Sequence, residues 1–176
     1  MLKIAVCGKM ASGKTTLANM IVDEKNNGTV LSLATKVKDI GKELFFMEAK
    51  NRPLLQKIGM KMREIQEDVW LDYLIKSADS LIAENKTAIV VVDDVRFVNE
   101  VKKLKDNGWI IIKIEIEDEL QKERLQKTYA DWETHWNNRA DASEAEVDKV
   151  PEEWFDFILD GSELTEFGSS FNAILV

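Results

Sequence analysis

Gly8-Lys9-Met10-Ala11-Ser12-Gly13-Lys14-Thr15 decides how the rest of this chain is read. It follows the apolar run Leu2-Lys3-Ile4-Ala5-Val6-Cys7 and leads into Thr16-Leu17-Ala18-Asn19-Met20-Ile21-Val22, whose apolar residues fall at helical spacing. Strand, glycine-bounded loop, Lys-Thr and helix form the context of a phosphate-binding loop. Glycines let successive backbone N–H groups curl round a phosphate, and the helix N-terminus adds its partial positive charge. On this reading Gly8, Ala11, Ser12, Gly13, Lys14, Thr15 and Thr16 make a donor site for a nucleoside triphosphate. Lys14 would reach the β- and γ-phosphates, and the Thr15 hydroxyl would take one Mg2+ position. The alternative is a Gly/Ser turn that matches the whole pattern, in the correct context, by coincidence.

Composition sets the frame around that loop. A length of 176 residues suits one domain with a sizeable core, and 45% hydrophobic with 32% charged residues is ordinary for a soluble globular protein. No apolar run approaches the ~20 residues that span a bilayer, and none resembles a signal peptide. The single cysteine, Cys7, rules out an internal disulfide and reads as a buried, inert thiol, with a reactive thiol beside the loop as the alternative. These features suit a reducing cytoplasm. A net charge of −8 argues against a broad nucleic-acid surface but leaves room for a local arginine cluster facing an anionic small molecule.

The remaining elements follow in order. After the first helix, Asn26-Asn27-Gly28 stops the chain and Thr29 to Leu33 reads as a second strand. Helical spacing covers Lys36 to Met47, then Asn51-Arg52-Pro53 opens a helix through Ile65, and another follows from Trp70 to Leu81. Thr87 to Val92 is almost entirely apolar and β-branched, as in a central parallel strand, and runs into Asp93-Asp94. Phe97 to Asn107 reads as a helix, Trp109 to Ile114 as a fourth strand and Glu115 to Arg139 as a polar helical stretch. Trp154 to Leu159 is expected to be the fifth strand and Ser162 to Leu175 a closing helix. Alternating strands and helices imply right-handed crossovers around a parallel sheet with its ligands at the carboxyl ends of the strands. The loop at Gly8 and the acids at Asp93 both fall on that edge.

The chemistry follows from those two signals. Asp93, at the end of an apolar strand, would serve Mg2+ beside Thr15, and the alternative is an acidic turn capping the next helix. Asp94 could contact an acceptor instead. Phosphoryl transfer to an acceptor that is itself a phosphate brings two anions together, so arginines are expected. The candidates are Arg52, Arg63, Arg96, Arg124 and Arg139, with Arg96 foremost because it lies two residues past Asp94. His135 has no second His or Cys at metal-ligand spacing, which disfavours zinc and leaves a surface or packing role. Trp132 and Trp136, four apart, could share one helical face, and with Trp154 they could mark a homodimer interface.

Four segments carry a resemblance to a known family. They are Gly8 to Thr15; Arg52 to Gly59 with Arg63 and Trp70; Val92-Asp93-Asp94-Val95-Arg96-Phe97-Val98-Asn99-Glu100; and Ala142-Ser143-Glu144 followed by Phe155 to Gly161. Together they resemble the phage-type deoxynucleoside monophosphate kinases within the adenylate-kinase-like P-loop kinases. The resemblance implies a three-layer α/β fold with a five-stranded parallel sheet, a helical acceptor-binding segment over residues 34–85 and a lid over about 118–145. It also implies roles. Lys14 and the loop would hold ATP, and Thr15 and Asp93 would hold Mg2+. Lys14, Asp93 and Arg96 would form the catalytic set, with Arg96 clamping the phosphates in transit. Arg52, Gln56, Arg63 and Asp94 would line the acceptor pocket, and Arg124 and Arg139 would arrive on the lid. Three positions depart from the family pattern: Thr15 where many members have aspartate, Asp141 where histidine is common, and Asp160-Gly161 where asparagine is common.

The expected activity is therefore transfer of the γ-phosphate of ATP to a deoxynucleoside 5′-monophosphate. A rival is a kinase with a hydroxyl acceptor, of the dephospho-coenzyme-A or modified-base type, in which Asp94 acts as general base. A second rival, a GTPase-like switch, is disfavoured because Asn85-Lys86-Thr87-Ala88 lacks the aspartate of the guanine reader. A third is an interaction module whose nucleotide site has fallen out of use.

Overall fold

In the computed structural model, described over residues 1–25, 27–84, 86–137 and 146–164, five parallel strands form one sheet in the order β2-β3-β1-β4-β5. The strands are β1 (Leu2–Gly8), β2 (Gly28–Leu31), β3 (Ile89–Val95), β4 (Ile110–Glu115) and β5 (Phe157–Asp160). The helices are α1 (Lys14–Lys25), α2 (Leu33–Phe45), α3 (Arg52–Ile65), α4 (Val69–Ala83), α5 (Val98–Asp106), α6 (Asp118–Thr128) and α7 (Trp132–Asn137). This is the three-layer α/β fold expected of a P-loop kinase.

β1 is central because nothing along Ile4 to Cys7 can tolerate water: all four side chains are fully buried. Alternate residues feed opposite faces of the sheet. Ala5, Cys7, Val90 and Val92 pack with Leu71, Leu74 and Ala78 of α4 and with Val101 and Leu104 of α5. Ile4, Val6, Val91, Ile112 and Ile114 pack on the other face with Leu17, Ala18 and Ile21 of α1. The second layer therefore closes directly over the helix that follows the phosphate-binding loop.

Several boundaries differ from the sequence expectation. β3 continues through Asp93-Asp94 to Val95, because the ladder Ala5↔Val92 resumes as Cys7↔Val95. Val6 of β1 thus stands against both Asp93 and Asp94 of β3, and a bulge so placed re-aims side chains. The fifth strand begins at Phe157 rather than Trp154, since Pro151 opens a single 3-10 turn at Glu152–Trp154. The polar helical stretch after β4 holds two helices, because Tyr129, extended at φ −126 and ψ 129, ends α6 before α7 begins. β2 is shorter than expected, because Ser32 leaves the strand and its side chain accepts the Ala34 N–H at the start of α2. The helix that opens at Arg52 is present, with the Asn51 side chain accepting the Leu54 N–H. Beyond Leu164 the expected closing helix lies outside the described residues, as do Arg139, Asp141 and Ala142-Ser143-Glu144.

Candidate active site

The loop between β1 and α1 depends on two glycines that no other residue could replace without distortion. Gly8 has φ +151, and a Cβ there would stand 2.6 Å from the Ile114 carbonyl and 2.8 Å from Ser12 Oγ. Gly13 has φ +106, and its Cβ would meet Leu164 Cδ1 at 2.4 Å. Between them Ala11 adopts φ 62, a left-handed conformation that costs an L-residue about 1–2 kcal/mol. The Lys14 ammonium folds across the loop and donates to the carbonyls of Gly8 at 2.8 Å and Lys9 at 2.6 Å. Ser12 is fully buried, and its hydroxyl has no hydrogen-bond partner.

β3 delivers its two aspartates to different places. The Thr15 hydroxyl donates to Asp93 Oδ2 at 2.6 Å, which joins the first turn of α1 to the end of β3. A hydroxyl and a carboxylate in contact are the hard-oxygen pair that Mg2+ takes from a protein when phosphates and waters complete its shell. Among the described residues no group of three or more His, Cys, Asp or Glu side chains could hold an ion alone. Asp94 serves a helix instead. Its Oδ1 accepts the Leu33 N–H at 2.9 Å, and its Oδ2 accepts the Ala34 N–H at 3.1 Å and the Ser32 hydroxyl at 2.7 Å. A negative charge at that end of α2 complements the helix dipole.

Loop and strand ends border a cleft of about 760 Å3, lined among others by Lys14, Thr15, Asp93, Arg96, Arg124 and Tyr129. A second cleft of about 330 Å3 has apolar walls of Leu33, Val37, Met60, Trp70 and Phe97, with Gln56, Arg63 and Arg96 beside them. Ala34, Asp94 and Arg96 line both, so the two clefts meet at the end of β3.

Arg63 is held by its neighbours. Its guanidinium lies 5.8 Å from the centre of the Phe97 ring, and NH2 stands 3.8 Å from Glu100 Oε1. The Glu100 Oε2 accepts the backbone N–H groups of Arg96 at 2.9 Å and Phe97 at 3.1 Å, capping α5. Only 6% of Glu100 is exposed, and burial raises its carboxyl above the ordinary range against those hydrogen bonds. Arg52 is exposed at the first turn of α3 and lines neither cleft. Cys7 is buried beneath the loop, where desolvation pushes its thiol up to about 12, so it is a core residue.

Arg124 is on α6, yet it reaches the loop itself. Its NH1 donates to the carbonyls of Ala11 at 3.3 Å and Ser12 at 3.1 Å, and NH2 to Gly161 at 2.7 Å. One turn earlier Gln121 donates to the Met10 carbonyl at 2.9 Å. Sequence reading had passed over Gln121, Tyr129, Lys38 and Ser162, although the Gln121 and Arg124 spacing of three places both on one helical face. Trp132 and Trp136 are half-buried, with Lys122 Nζ 5.8 and 5.6 Å from their ring centres, and Trp154 packs beside the core. His135 packs against Tyr129 with ring centres 4.7 Å apart and the rings tilted by 60°.

A glycine-bounded loop, its lysine and a Thr–Asp pair at the end of a five-stranded parallel sheet define a P-loop kinase. The chain belongs to the AAA_18 family (AAA domain), whose model matches residues 4–149. A protein of Acanthamoeba polyphaga mimivirus, named provisionally as a deoxynucleotide monophosphate kinase, is 29% identical over 144 residues, which are 65% of this chain and 74% of that one. Among solved structures, a Janibacter sugar kinase superposes with a TM-score of 0.62 at 16% identity, over 99% of this chain and 95% of the other. Shikimate kinase from Acinetobacter baumannii gives 0.57 at 13%, covering 99% and 93%. A Sinorhizobium meliloti gluconokinase gives 0.58 at 12%, again over 99% and 93%. At such identities these structures establish the fold. Among the described residues no helix is long and apolar enough to cross a membrane.

Proposed function

We propose that this kinase transfers the γ-phosphate of ATP to a deoxynucleoside 5′-monophosphate. The observation that carries the reading is the join between the two clefts. A phosphate-binding loop opens on one side of Arg96, and on the other lies an apolar slot with Trp70 and Phe97 walls and Arg63 beside it. A flat base suits such walls, and a second phosphate needs the guanidinium groups. The mimivirus protein's name supports the same acceptor class.

In this reading the loop amides and Lys14 hold the donor phosphates, and Thr15 and Asp93 hold Mg2+, which neutralises charge between them when bound. Arg96, at the seam of the clefts, balances charge on the phosphoryl group in transit, while Arg63 and Gln56 orient the acceptor. Arg52, at the outer end of α3, is the remaining candidate for acceptor contact, and Arg139 that for lid closure. A phosphate acceptor needs no strong general base, and this agrees with Asp94, whose oxygens are already taken up by three donors on α2. A hydroxyl-acceptor kinase would require Asp94 to release that cap.

The test is coupled ADP release over all deoxy- and ribonucleoside monophosphates, with shikimate and gluconate as hydroxyl acceptors. Turnover on at least one deoxynucleotide, abolished by Arg96→Ala, is expected. Turnover confined to the hydroxyl acceptors would overturn the reading.

A further inference from the structure

We propose that Gln121 is a positioning residue of the donor site, which from α6 fixes the direction of the backbone N–H groups that the phosphate-binding loop presents. The inference rests on the donor half of the reading above and is independent of the acceptor.

α6 reads Asp-Glu-Leu-Gln-Lys-Glu-Arg-Leu-Gln-Lys-Thr, and within it only Gln121 and Leu125 are buried. Gln121 is 1% exposed, its Nε2 donates to the Met10 carbonyl, and its Oε1 has no partner. Burying an amide with half its hydrogen-bonding capacity unmet is unfavourable, and methionine would fill the same space without the penalty. Packing therefore does not account for glutamine here. Its one bond does.

The Met10–Ala11 peptide is planar and trans, so a carbonyl gripped from α6 sends the Ala11 N–H the opposite way. Arg124 acts likewise on the Ser12 carbonyl and so on the Gly13 N–H, while the intervening Ser12 N–H turns back to Lys9 at 3.3 Å. Ala11 is also the residue held at φ 62, and such a conformation persists only where its surroundings impose it. Gln121 grips the peptide immediately before that residue. Without the grip, Ala11 can relax to negative φ and its N–H swings out of the phosphate cradle.

Nucleotide affinity and fold stability should then separate. The probe is ADP with Mg2+, measured by titration calorimetry, beside thermal melts without nucleotide. Gln121→Met should melt within about 3 °C of wild type yet bind ADP at least about tenfold more weakly, the loss of one hydrogen bond to a charged group. Gln121→Leu, which keeps an apolar side chain of similar bulk and offers no donor, should bind no better than Gln121→Met. ADP affinity within twofold of wild type in either variant overturns the proposal. Failure of both Gln121→Met and Gln121→Asn to fold makes Gln121 a residue of the fold alone, and overturns it too. If wild type itself fails to bind ADP, the donor reading falls first and the inference falls with it.

Discussion

Replacing Asp94 by alanine separates a residue of the chemistry from a residue of the scaffold. The carboxylate accepts the Leu33 N–H and shares the Ala34 N–H with Ser32 Oγ. Hydrogen bonds to a charged group contribute about 1.5–3 kcal/mol each, and an N-cap contributes about 1 kcal/mol. Because Ser32 keeps part of the cap, the net loss comes to about 3 kcal/mol. For a domain of this size each kcal/mol moves the melting point by about 2–4 °C, so Asp94→Ala should melt about 6–12 °C below wild type. Asp94→Asn, which keeps one carbonyl oxygen, should lose about half as much. Melts followed by circular dichroism at neutral pH, without nucleotide, give the answer. An Asp94→Ala chain that melts within about 2 °C of wild type but has lost turnover refutes the reasoning, and points to a general base and a hydroxyl acceptor.

Thr15→Ala and Asp93→Asn should each raise the Mg2+ concentration giving half-maximal ADP release, with turnover down by about a hundredfold, while the ligand-free melt changes little. Gly8→Ala drives a Cβ into the Ile114 carbonyl at 2.6 Å, and should cost about 3 kcal/mol or more, measured by urea unfolding. With its thiol pushed up to about 12, Cys7 should resist a thiol reagent at about pH 8 in the folded protein and react fully in denaturant. Burial raises the Glu100 carboxyl, so the folded chain holds that proton more tightly than the unfolded chain does. Its contribution is complete below the ordinary glutamate range and is lost as pH rises through the raised value. As pH rises above the ordinary glutamate range, the stability of wild type relative to Glu100→Gln should therefore shrink, and growth with pH would show the attraction of Arg63 outweighing burial.

The elements that bind the donor were legible because their signals are local. A glycine loop between an apolar strand and a helix announces itself within fifteen residues, and the β-branched run before Asp93 marks a buried strand wherever it falls. Asp94 was ambiguous for the opposite reason: Ser32 and Leu33, which occupy it, lie some sixty residues away, and nothing local foretells that pairing. The stretch that follows β4 was opaque in a similar way. A stretch so polar reads only as helix-prone, because neither the break at Tyr129 nor the burial of Gln121 leaves a mark in hydrophobic spacing. Trp154 looked like strand because aromatic residues favour strands, but Pro151 imposes a 3-10 turn first. Arg124 was anticipated as a cation over the phosphates; it lines the cleft at the loop, and nothing local foretells that its guanidinium also holds carbonyls of the loop and of Gly161.

The placement of β1 at the middle of the sheet has a consequence for synthesis. This strand is made before the other four of the sheet, yet its neighbours are Ile89–Val95 on one side and Ile110–Glu115 on the other. Until β3 has been translated, its apolar hexapeptide has two open edges and no native partner, and one edge stays open until β4 follows. Pairings so distant in the chain form late, and exposed strands aggregate while they wait. Fragments that carry β1 and the whole phosphate-binding loop but stop short of β3 should therefore be insoluble rather than partly active.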